Sequence, residues 1–71
     1  MNREAIKKSS NIASVGYDEE KKELEVEFKV TGGVYVYYDV PKRTHTNLMN
    51  AQSKGIFFAK YIKHNYRYER V

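Results

Sequence analysis

Val34-Tyr35-Val36-Tyr37-Tyr38-Asp39-Val40-Pro41, residues 34–41, decides the fold of this chain. Apolar and polar-capable residues alternate with a period of two, the period of a strand whose side chains point to opposite faces. On that reading Val34, Val36, Tyr38 and Val40 face the core, while Tyr35, Tyr37 and Asp39 face outward. Pro41 lacks a backbone donor and ends the strand.

Working back from this stretch, Thr31-Gly32-Gly33 is a tight turn, because paired glycines supply the positive φ of short hairpin loops. Residues 23–30 form the cleanest strand, with Leu24, Val26, Phe28 and Val30 inward and Glu23, Glu25, Glu27 and Lys29 outward. Asp18-Glu19-Glu20-Lys21-Lys22 is a polar turn. A first strand spans roughly residues 11–17, where Ala13, Val15 and Tyr17 share a face. Ile12 breaks that alternation, which predicts a bulge or an edge position. Residues 1–8 read as a flexible, charged lead-in. The three strands make an antiparallel meander.

Beyond Pro41 the period becomes helical. Val40, Thr44, Leu48 and Ala51 form a thin stripe on a first helix that has proline in its first turn. Ser53 caps a second helix over about residues 54–65, with Gly55, Phe58, Ala59 and Ile62 on one stripe. Residues 66–71 form an extended tail. One apolar sheet face and two amphipathic helices predict an α+β two-layer domain in the order βββαα: a three-stranded antiparallel meander packed on two C-terminal helices.

Seventy-one residues make one domain with a small core. There is no cysteine, so neither disulfides nor thiolate metal sites can staple it. His45 and His64, the two histidines, do not have the spacing of a structural zinc site. No run approaches the ~18 apolar residues of a membrane span, and no export signal precedes the domain, so the cytoplasm is the expected compartment. The net charge of +4 is unevenly spread. Residues 1–40 carry six lysines and arginines against eight carboxylates, a net −2, and residues 41–71 carry seven against one, a net +6. Such asymmetry points to an anionic partner.

Ser9-Ser10-Asn11-Ile12 with Gly16-Tyr17-Asp18, the Tyr-x-Tyr of Tyr35 and Tyr37, Val40-Pro41, and Ser53-Lys54-Gly55 followed by Phe58 and Ile62 resemble, in order and spacing, the KTSC domain. The resemblance covers residues 9–71, as a stand-alone small protein of the bacterial or phage kind. The family is named for its place at the C-terminus of some lysyl-tRNA synthetases. The resemblance implies a role that is unassigned for the family at large, with RNA binding proposed from the synthetase context, and it brings no catalytic residues.

Three features could carry function. The basic set Lys42, Arg43, Lys54, Lys60, Lys63, Arg67 and Arg70, interleaved with Tyr61, Tyr66 and Tyr68 and with His64 beside Lys60, suits RNA or single-stranded nucleic acid, since cations attract phosphates without reading bases. The same residues also describe a solvated helical face. Ser53-Lys54-Gly55 combines free N–H groups at a helix start with a cation and a glycine, an arrangement suited to an anion; alternatively Ser53 only caps the helix. Tyr35 and Tyr37 offer rings for base stacking or for a protein partner, but beside Glu23, Glu25 and Glu27 they would repel phosphates. They could instead pack on the stems of those acidic side chains, on the chain lead-in, or on the tail that holds Tyr66 and Tyr68. The expected function is therefore a non-enzymatic module that binds nucleic acid through its basic helical face. A protein–protein adaptor using Tyr35 and Tyr37 on the acidic sheet face is the alternative. No cofactor and no metal are expected.

Overall fold

The computed structural model describes residues 3–6 and 11–71. Five strands form one antiparallel sheet in sequential order: β1 (Arg3–Ala5), β2 (Ile12–Asp18), β3 (Glu23–Phe28), β4 (Val34–Tyr37) and β5 (Tyr68–Arg70). Two helical segments follow β4: α1 (Lys42–Asn50) and α2 (Lys54–Phe57), the latter running directly into a π-helical turn (Phe58–Ile62). Leu48, Phe58 and Ile62 from the helices pack against Ile12, Val15, Leu24, Val26 and Tyr37 from the sheet. No helix among the described residues is long and apolar enough to cross a membrane.

The three central strands are those of the expected meander, but the sheet is wider by two. Arg3–Ala5, expected in a flexible lead-in, pairs with β2 in the register Arg3↔Gly16, Glu4↔Val15 and Ala5↔Ser14, and Ile6 behind it is buried. Ser9 and Ser10, with Lys7 and Lys8 of the lead-in, lie outside the described residues. At the other edge the tail pairs with β4 as Tyr35↔Arg70, Val36↔Glu69 and Tyr37↔Tyr68.

The bulge at Ile12 is present: the β2–β3 register shifts between Ile12 and Ser14. That extra residue lets Ile12 and Val15, three apart, both point into the core. Val30, by contrast, is 82% exposed, because β3 ends at Phe28. The chain there turns through Gly32, whose φ of +66° suits glycine, and Phe28 N–H closes the hairpin on the Gly33 carbonyl at 3.0 Å.

The largest correction concerns the tyrosine strand. Tyr35 pairs with Val26 and Tyr37 with Leu24, so both rings lie on the core face of the sheet. Val34 and Val36 take the outer face, opposite Glu27 and Glu25. Val40 is indeed buried, which is why alternation counted back from it looks persuasive. Between them, however, Asp39 adopts φ +58°, and this left-handed residue shifts the inward phase by one position. Val40 is then pinned twice. Its N–H bonds the Lys22 carbonyl at 2.9 Å, and its carbonyl accepts the Tyr17 hydroxyl at 2.5 Å.

The first helix begins at Lys42, so Pro41 caps it from outside and does not form its first turn. The second departs from α-geometry after Phe57. Lys63 N–H bonds the carbonyl of Phe58, five residues back, at 2.9 Å. This wider ring closes the segment at Ile62, three residues short of the expected end.

Candidate functional site

Between the core face of the sheet and the second helical segment lies a cleft of about 330 Å³. Its floor is aromatic, formed by Phe28 from β3, Tyr35 and Tyr37 from β4, and Tyr68 from β5. Its wall comes from Gly55, Phe58 and Ala59, and its rim carries Lys63, His64 and Thr31. Among the described residues no carboxylate lines it.

Each contribution follows from local structure. Alternation puts Tyr35 and Tyr37 on one face of β4, and register adds Tyr68 beside Tyr37 on β5. The rings then interlock: Phe28 meets Tyr35 edge-on at 5.6 Å, Phe58 meets Phe28 at 5.3 Å and Tyr37 at 5.2 Å, and Tyr68 tilts over Tyr37 at 5.2 Å. Gly55 and Ala59 are small and one helical turn apart, which leaves the wall open. The π-turn sets Lys63 one widened turn beyond Phe58, on the side that edges the cleft.

Tyr37 lines the cleft and is only 3% exposed. Burial, with Tyr68 and Tyr35 beside it, pushes its pKa up to about 12, so it remains a neutral hydrogen-bond donor at physiological pH.

The basic set expected to form one surface is divided by the fold. Lys63 edges the cleft, and Arg70 lies beside it on the same sheet face, its guanidinium against Gly33 where a Cβ would meet it at 3.3 Å. Lys60 extends along the helix with its ammonium 5.5 Å from the Tyr61 ring, while Tyr61 stacks on Phe57 at 4.7 Å. Lys42 is ion-paired to Glu19 at 3.1 Å, Arg43 is exposed on α1, and Tyr66 turns to the Thr44 hydroxyl at 3.4 Å. Arg67 lies over the Tyr38 ring at 5.0 Å, and Tyr38 donates to Glu69 at 2.9 Å, on the outer face.

At the helix start, Ser53 Oγ accepts from Ile56 N–H at 3.3 Å, and Lys54 Nζ donates to the Ala51 carbonyl at 3.3 Å. Both groups that would meet an anion are thus engaged within the chain, and Gly55 serves the cleft wall.

Tyr35 and Tyr37 do not share a face with Glu23, Glu25 and Glu27, so the combined tyrosine and carboxylate surface expected for an adaptor does not exist. On the outer face Glu25 pairs with Arg3 at 2.7 Å and Glu27 accepts from Ser14 Oγ at 2.9 Å. Among the described residues no three His, Asp or Glu side chains gather where a metal could be held. Tyr68 and His64, read in the sequence as companions of the basic set, line the cleft itself. The tail that holds Tyr68 is too short to read as a strand from sequence.

The KTSC domain model matches residues 8–66. The chain belongs to the KTSC domain family. A crystal structure of a KTSC domain protein from Yersinia pestis superimposes with a TM-score of 0.93 at 40% identity, covering 99% of this chain and 96% of that one. An uncharacterized protein of Stutzerimonas stutzeri is 42% identical over 72 residues, which are 100% of this chain and 99% of its own length. A lysine–tRNA ligase of Nostoc punctiforme is 37% identical over 62 residues. This match takes in 87% of the chain but only 11% of the ligase, so the KTSC domain corresponds to about a tenth of that protein.

Proposed function

We propose that this KTSC domain is a non-enzymatic cytoplasmic module that binds single-stranded nucleic acid, RNA foremost. The observation that carries the reading is the cleft itself: an aromatic floor free of carboxylates, edged by Lys63 and flanked by Arg70. Backbone phosphates supply most of the affinity of such complexes, and flat rings add sequence-tolerant stacking. Lys60, Lys63 and Arg70 hold phosphates in this reading, and the acidic sheet face points the other way. The occurrence of the domain within proteins named lysine–tRNA ligases is in keeping with an RNA partner.

Fluorescence anisotropy with a short labelled single-stranded RNA of mixed sequence tests this. Binding at about 50 mM salt should weaken as salt rises, with log K against log[salt] near −2 for about three phosphates, at roughly −0.7 each. Absence of binding at that salt would remove the proposal.

A further inference from the structure

We infer that the cleft is a pocket for a single unpaired nucleobase, so that the domain grips a strand by one extruded base as well as by its phosphates. This rests on the nucleic-acid reading above, but it makes a separate claim.

Size, shape and chemistry each point this way. At about 330 Å³ the cleft lies at the small end of the range that holds one compact ligand, too small for a duplex or a peptide helix. Tyr68, half exposed, and Tyr35, partly exposed, keep ring surface open above a buried Tyr37. An aromatic heterocycle can lie against these rings, gaining the stacking that any base obtains from an aromatic side chain. Tyr37, Thr31 and Asn11 bring polar groups to the lining of this space. Polar groups around an aromatic floor suit the edge of a base better than an aliphatic chain. Lys63 and His64 stand at the mouth, where the phosphates flanking an inserted base must pass. On the wall, Gly55 and Ala59 are small, which leaves the space a planar ring needs.

The test compares the short RNA with the same backbone made abasic, each against the wild-type protein and Ala59→Trp. Ala59 is solvent-exposed and lines the wall, so the indole fills the cleft without entering the core. Wild type should bind the base-bearing strand roughly 5- to 150-fold more tightly than the abasic one, the factor set by stacking of one base. Ala59→Trp should erase that difference and leave the abasic affinity unchanged. Equal binding of both strands by wild type would overturn the pocket and spare the phosphate reading. Binding of neither would overturn both. Persistence of the difference in folded Ala59→Trp would show that the base is held elsewhere. Should circular dichroism show Ala59→Trp unfolded, Tyr68→Ala takes its place: the ratio of base-bearing to abasic affinity should shrink, whatever becomes of the abasic affinity itself, and an unchanged ratio would overturn the pocket. Uridine or adenosine monophosphate should compete only weakly; competition as strong as the strand's would assign the cleft to a free nucleotide and overturn the proposal.

Discussion

Tyr68 lies over Tyr37, ring centroids 5.2 Å apart and planes at 30°, and this contact fastens the last strand to the core. β5 has only three paired residues, and three-residue edge strands hold by their side chains more than by their ladder. Tyr68 also meets Tyr35 at 5.8 Å, so one side chain bridges both β4 tyrosines. Tyr68→Ala should lower stability by about 1–2 kcal/mol, combining two aromatic pairs with partial burial. Urea unfolding of the variant checks it, and an unchanged midpoint would mean that β5 is held by its backbone alone.

Phe58 joins the sheet to the helix through edge-on contacts with Phe28 and Tyr37 and is almost fully buried. Phe58→Ala should cost about 3–5 kcal/mol, enough to unfold so small a domain. Val30 is the opposite case: as an exposed residue past the end of β3, its change to Ser should move stability by less than about 0.5 kcal/mol. Thermal melts of the two variants separate them.

These two residues also mark where the sequence was legible. The β3 alternation is unbroken up to Phe28, and its faces, like the Ile12 bulge, could be read directly. The outward turn of the chain after Phe28 is set by the Gly32 conformation, which leaves no trace in hydrophobic period. The faces of β4 were misread for a similar reason: one left-handed aspartate changes the parity between Tyr37 and Val40, and aspartate is compatible with either conformation. β1 and β5 escaped because Arg3–Ala5 and Tyr68–Arg70 are short and charged, and only pairing makes strands of them. The cleft was hidden by the same parity, since its floor needs Tyr35 and Tyr37 inward. The cations could be listed from sequence, but how the fold divides them between faces could not.

His45 stacks on Tyr17 with centroids 4.7 Å apart and planes within 10°. Burial lowers its pKa from the ordinary 6.5, and the nearby Glu4 carboxylate opposes this with a smaller effect. A histidine that is harder to protonate in the folded state binds fewer protons there than in the unfolded chain, so stability rises with pH. Its contribution is complete above about pH 6.5 and is lost as pH falls below that value. His45→Phe keeps the stack and removes the titration. Between pH 7 and 5 its urea midpoint should fall less than that of the wild type; parallel curves would place the acid sensitivity elsewhere.

Gly33 is held where an added Cβ would sit 3.2 Å from Tyr35 and 3.3 Å from the Arg70 guanidinium. Its φ is not left-handed, so Gly33→Ala meets a packing obstacle and no backbone strain. The flexible end of Arg70 can move, whereas the Tyr35 ring is held against Phe28 and Tyr68. The substitution should therefore displace the Arg70 guanidinium, with a modest loss of stability of about 0.5–1.5 kcal/mol. Side-chain guanidinium resonances in NMR spectra report the displacement directly; an undisturbed Arg70 signal would show that the tyrosine yields first.

Lys63 and Arg67 are four residues apart and carry the same charge, yet the fold sends them to different places. Lys63 edges the aromatic cleft, while Arg67 lies over the Tyr38 ring beside Glu69 on the outer face. A surface defined only by charge would value them equally. Charge reversal distinguishes the two views, because both side chains are exposed and neither change enters the core. Lys63→Glu removes one phosphate contact and places a carboxylate at the mouth of the cleft, so RNA affinity should fall at least tenfold at about 50 mM salt, and the salt slope should shallow by about 0.7. Arg67→Glu should leave the slope near that of the wild type and weaken binding only through the long-range field, an effect that fades beyond a Debye length, about 14 Å at that salt. Anisotropy titrations of both variants at several salt concentrations decide it: equal losses would mean that the strand follows the basic tail and not the cleft.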